Sequence, residues 1–96
     1  MDDSIARAFI DQELARLRRL PYEELLKSID KSSTTCQNGP DGKKYQIESQ
    51  AFWDSKKGGN IRVMVSVDDG GFRAFKPLTG SFIISPNGSM IGENSD

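Results

Sequence analysis

Ile61-Arg62-Val63-Met64-Val65-Ser66-Val67-Asp68-Asp69-Gly70-Gly71 decides the fold of this chain. Ile61, Val63, Val65 and Val67 put a β-branched residue at every second position, the pattern of a strand with one apolar face. Asp-Gly is a favoured two-residue hairpin turn, because the glycine accepts the positive φ the turn requires. With Asp69-Gly70 as the loop, the expected register sets Val67 opposite Phe72 and Val65 opposite Ala74. On the other face it sets Met64 opposite Phe75 and Ser66 opposite Arg73. A shift of one residue would bring Val67 against Arg73, so the two-residue loop is preferred.

Working upstream, Lys44 to Asp54 alternates as well. Tyr45, Ile47, Ser49, Ala51 and Trp53 share one face; Gln46, Glu48, Gln50 and Phe52 share the other. Ser55-Lys56-Lys57-Gly58-Gly59-Asn60 connects this strand to the next. Keeping faces consistent predicts Trp53 opposite Ile61, Ala51 opposite Val63 and Ile47 opposite Val67. Ser32 to Gln37 reads as an edge strand closed by the turn formers Asn38-Gly39-Pro40-Asp41-Gly42. Downstream, Pro77 has no N–H for a ladder and ends the third strand. Phe82-Ile83-Ile84, the turn Pro86-Asn87-Gly88 and Met90-Ile91 make a last small hairpin. Residues 92–96 are expected to fray.

The N-terminal third has a different period. Ile5, Ala6, Phe9, Ile10, Leu14, Leu17 and Leu20 lie on one side of a helical wheel. Asp2 and Asp3 stand where a carboxylate caps free N–H groups, and Arg16, Arg18 and Arg19 where cations suit the helix dipole. These signals predict a helix over about 3–19. Pro21 would clash inside it but fits the first turn of a new helix, so a short second helix is expected over 21–29 with Tyr22, Leu25, Leu26 and Ile29 on its apolar stripe. A single helix kinked at Pro21 is the alternative. The predicted class is α+β: two helices packed on one face of an antiparallel β-meander of four to five strands. One helix ahead of four antiparallel strands resembles the cystatin-like roll, a likeness of fold that implies no activity.

The chain has 96 residues, 13 basic and 14 acidic, which predicts one domain with no general attraction to nucleic acid or anionic membrane. An acidic start at Asp2-Asp3 argues against a secretory signal, and no apolar run approaches the ~20 residues of a membrane span. A lone Cys36 forbids an internal disulfide and favours a reducing, cytoplasmic setting.

There is no histidine. The commonest general base and metal ligand is therefore missing, and zinc or Cys–His chemistry cannot be built within one chain. Carboxylates remain, namely Glu48, Asp54, Asp68 and Asp69, but the last two belong to the hairpin turn. Gly39-Pro40-Asp41-Gly42-Lys43-Lys44 lacks the spacing, the following Ser or Thr and the helix of a phosphate loop. No cofactor, metal or catalytic residue is assigned. What folding leaves unexplained is the sheet face opposite the helices. There Phe52, Met64 and Phe75 sit with Arg62 and Arg73, inside a rim of Glu48, Gln50 and Ser66, as a small protein-contact surface would. The expected role is a non-catalytic domain that binds another protein or itself through that face. A single-stranded nucleic-acid reader stacking bases on Phe52 and Phe75 beside Arg62 and Arg73 is the alternative, with a carboxylate- or arginine-dependent enzyme third.

Overall fold

The computed structural model describes residues 2–70 and 77–95, residues 92–95 by their backbone alone. Helix α1 spans Asp3–Arg18. Its N-cap is Asp2, whose carboxylate accepts hydrogen bonds from the Ser4 and Ile5 backbone N–H groups at 2.9 and 3.2 Å, satisfying two donors that have no partner within the helix. Ala6, Ile10, Leu14 and Leu17, spaced by three or four, are its buried stripe. Leu20 and Pro21 break the helix, and α2 follows over Tyr22–Leu26. Two helices form rather than one with a kink. Pro21 stands just outside α2, at the cap, and the second helix ends earlier than expected. Beyond Leu26 the chain tightens into three-residue turns, with Ser28 N–H on the Leu25 carbonyl and Ile29 N–H on that of Leu26. Asp30, at φ 61°, then turns the chain into the sheet and donates its N–H to the Ala51 carbonyl at 3.0 Å.

Five strands follow among the described residues: β1 (Ser32–Asn38), β2 (Lys44–Trp53), β3 (Ile61–Asp68), β4 (Leu78–Ile84) and β5 (Met90–Ser95). They form one antiparallel meander in sequence order. The expected edge strand is β1. The β2–β3 ladder has the anticipated register, with Trp53 opposite Ile61, Ala51 opposite Val63 and Ile47 opposite Val67. β5 pairs back along β4 as far as Ser95 opposite Gly80, so it takes in most of the segment expected to fray.

The next hairpin differs from expectation. The partner of β3 is Leu78–Ile84, with Val67 opposite Leu78, Ser66 opposite Thr79, Val65 opposite Gly80 and Met64 opposite Ser81. Phe72, Arg73, Ala74 and Phe75, assigned to those places from the sequence, lie outside the described residues. The physical reason lies further along the strand. A two-residue loop at Asp69-Gly70 would carry Lys76 to the buried face opposite Val63, and Pro77, which has no N–H, opposite Arg62. The observed pairing sets Phe82 opposite Val63 and Ile84 opposite Ile61. Both registers keep the same parity, so the valine face points the same way in each. Asp68 still marks the end of β3, its carboxylate accepting from Gly70 N–H at 2.8 Å.

α1 lies across β3 and β4 and reaches β2 only at its margin. The core between them joins Ile10, Leu14 and Leu25 to Tyr45, Ile61, Val63, Val65, Val67 and Phe82, all 0–1% exposed. Burying each of the larger side chains contributes roughly 1.5–3 kcal/mol. Gly80 is where the helix comes closest to the sheet: a Cβ there would stand 2.8 Å from Ile10 and 3.0 Å from Leu14. Two polar anchors tie the periphery to this core. Tyr22 donates its hydroxyl to the Gly59 carbonyl at 2.7 Å, fixing α2 to the β2–β3 connection. Tyr45 donates to the Asp41 carboxylate at 2.8 Å and accepts from Asp2 N–H at 3.3 Å, joining the β1–β2 loop to the start of α1.

Candidate functional site

The face away from α1 carries three of the five residues singled out from the sequence. Phe52 on β2 faces Arg62 on β3, and Arg62 faces Ile83 on β4, so the three form one row across the sheet. Met64 occupies the next row, between Gln50 and Ser81. Phe52, Arg62, Met64 and Ile83 are all half-buried. Arg62 is held by Asp54, Nη2 to Oδ1 at 3.0 Å with Nε at 3.2 Å from the same oxygen. The sheet thus brings Phe52, Met64 and Ile83 around an arginine whose charge already has a partner. Arg73 and Phe75, the other two residues of the expected surface, lie outside the described residues. Ile83 was expected only as part of the last small hairpin, not among the residues of this surface. It joins the patch instead, because β4 stands beside β3 in the same sheet.

The opposite, helix side shows a feature the sequence reading missed. Because α1 sits over β3 and β4, nothing among the described residues covers the helix side of β1, where Ser33, Thr35 and Gln37 stand beside Ser49, Ile47 and Tyr45 of β2. A hollow of about 620 Å³ results, walled by Gln12, Glu13 and Arg16 of α1 with Arg19 just past its end, and floored by Phe9 and Ile47. A second hollow of about 250 Å³ continues it past Ser33 and Ser49 to Leu17, Leu25 and Ala51. Together they follow β1 from Gln37 to Ser32, about 17 Å at ~3.3 Å per residue. The signal was present: three polar residues at the helix-side positions of β1 mean that no helix was to be packed there.

Two charge arrangements shape that hollow. Glu13 and Arg16 form a two-pronged pair, Nε to Oε1 and Nη2 to Oε2 both at 2.8 Å. The hydrogen bonds that Arg16 donates to the Glu13 carboxylate raise the pKa of its guanidinium above the ordinary value. Arg19, exposed at the end of α1, makes no ion pair among the described residues. The wall is therefore cationic by one charge.

The carboxylates considered for hydrolysis do not converge on a hollow. Asp54 is engaged by Arg62, Asp68 caps the turn at Gly70, and Glu48 lies on the outer face opposite Ser66. Among the described residues no three acidic or cysteine side chains gather as a metal would require, and no helix is long and apolar enough to cross a membrane. Cys36 is an exposed free thiol on β1, opposite Gln46. Burial raises the Tyr45 phenol pKa, and its hydrogen bond to Asp41 adds to that. With both of its polar contacts serving the fold, Tyr45 is a structural tyrosine. No protein-family pattern, no curated protein and no solved structure matches this chain.

Proposed function

We propose that this chain is a non-catalytic binding domain whose contact surface is the sheet face turned away from α1, and that it engages another protein or a second copy of itself there. The observation that supports this reading is the grouping of Phe52, Met64 and Ile83 around the Arg62–Asp54 pair. Large apolar side chains inside a polar rim suit protein contact, since their desolvation drives association while the paired charge sets orientation. The Arg62–Asp54 pair weighs against a nucleic-acid platform, because an arginine already neutralised adds little to phosphate binding. The same proposal places the domain in a reducing compartment, the cytoplasm, on the strength of the exposed Cys36 thiol.

The test is light scattering over a wide concentration range, paired with a photo-crosslinking residue at Phe52 in living cells. Association that Met64→Arg abolishes, or a discrete crosslinked protein that Met64→Arg removes, is the expected result. A monomer at every concentration together with no discrete crosslink would sink the proposal.

A further inference from the structure

We propose that β1 is a docking edge for an extended acidic segment of a partner protein, which adds to the sheet beside β1 and sets a carboxylate side chain against Arg19. This surface is separate from the outer face and uses different residues.

The first observation is the strand itself. All seven residues of β1 are exposed, and among the described residues the strand pairs with β2 alone. An edge strand presents a row of unpaired N–H and C=O groups, which proteins ordinarily blunt with lysine, proline or a bulge. Ser32-Ser33-Thr34-Thr35-Cys36-Gln37-Asn38 has no charge and no proline, and its seven pairs with β2 run without a register shift. The opposite edge is different. β5 has Glu93 in its sequence and a register irregularity against β4 between Ile83 and Ile84. One edge of the sheet is guarded and the other is open for about 23 Å, seven residues at ~3.3 Å each.

The second observation is what lies beside the open edge. A strand added there would turn every second side chain toward the hollow between α1 and β1, with Phe9 and Ile47 at its floor. Main-chain pairing supplies affinity in this mode, and the pockets for alternate side chains supply selection. Here the wall offers Arg19, which makes no ion pair among the described residues, while Glu13 is engaged by Arg16. The charge complement is a carboxylate. A second copy of this chain fits less well. Its β1 carries no acid for Arg19, and antiparallel pairing would put both α1 helices on one side of the joined sheet, doubling the unmatched cations there.

The test begins with a displayed library of random octapeptides selected on the immobilised protein. The winning peptides are then titrated into the protein while backbone amide exchange is followed. Selection of alternating β-branched sequences with Asp or Glu on one face is expected, together with slowed exchange along Ser32–Asn38. Arg19→Glu should weaken binding about tenfold, a loss of roughly 1.4 kcal/mol. Arg19→Lys should restore most of it with an unchanged melting temperature, because it keeps an exposed cation at the end of α1. Met64→Arg should leave peptide binding unchanged, which separates this site from the outer face. No enrichment, enrichment without acidic residues, protection confined to the Phe52–Ile83 face, or peptide-free dimers protected along β1 would each overturn the proposal.

Discussion

Gly80 shows how much one missing side chain can decide. In a strand interior glycine is ordinarily a weakness, since it has maximal backbone entropy to lose and nothing to pack. Here its bare Cα admits Ile10 and Leu14, which would stand 2.8 and 3.0 Å from a Cβ. Gly80→Ala should therefore destabilise the fold by roughly 1–3 kcal/mol, the scale of overpacking, where propensity alone favours a gain. A denaturant midpoint at or above wild type would show that α1 can give way. Tyr45 is the second informative residue. Its phenol pKa is raised by burial and by the hydrogen bond to Asp41. A raised folded-state value means the stabilisation is fully present below the unfolded tyrosine pKa of ~10 and is lost as pH rises through the folded value. Tyr45→Phe should flatten the alkaline fall in stability, measured as urea midpoints from neutral pH upward. If wild type and variant fall in parallel, another group controls the alkaline limb.

At the scale of elements, α1 is specified by its own residues and held by tertiary contacts. The cap at Asp2, the stripe Ala6-Ile10-Leu14-Leu17 and the cations in the last turn agree locally. A helix of this length remains marginal by itself, so packing on β3 and β4 must supply most of its stability. Leu14→Ala, at a position 1% exposed, should cost about 2–5 kcal/mol. It should reduce helical circular dichroism only in step with global unfolding. A helix lost ahead of the sheet would mean that α1 docks independently. The β3–β4 pairing teaches the complementary lesson. Asp69-Gly70 is a strong local hairpin signal, yet β3 pairs with Leu78–Ile84. A turn preference amounts to a fraction of the energy released by placing Phe82 and Ile84 against Val63 and Ile61, so the core overrides the turn.

For the molecule as a whole, the meander order predicts a gradient of stability. Among the described residues β2, β3 and β4 each have two neighbours, whereas β1 has one and no helix above it. Backbone amides of β3 should exchange most slowly, at rates tracking global unfolding, and those of β1 should exchange through local opening. Equal protection across the sheet in the monomer would contradict the open helix side of β1. The asymmetry also frames both proposed surfaces: placing α1 over β3 and β4 leaves the outer face turned away and the hollow beside β1 unfilled.

Sequence alone determined which faces are apolar and how β2 meets β3, because side-chain alternation sets parity and parity survives any even change of register. It also determined α1 and favoured a separate helix after Pro21, though not where that helix ends, since caps, proline and a 3.6-residue period act within a few positions of one another. Of the candidate surface it placed Phe52, Arg62 and Met64 together on one face, a consequence of that same parity. Tertiary structure alone decided that β3 pairs with Leu78–Ile84, that Ile83 joins Phe52 and Arg62, and that α1 stops short of β1. Each of these depends on which distant residues compete for the same place in the core. That competition is settled by volume and burial summed over the fold, which local pattern does not contain.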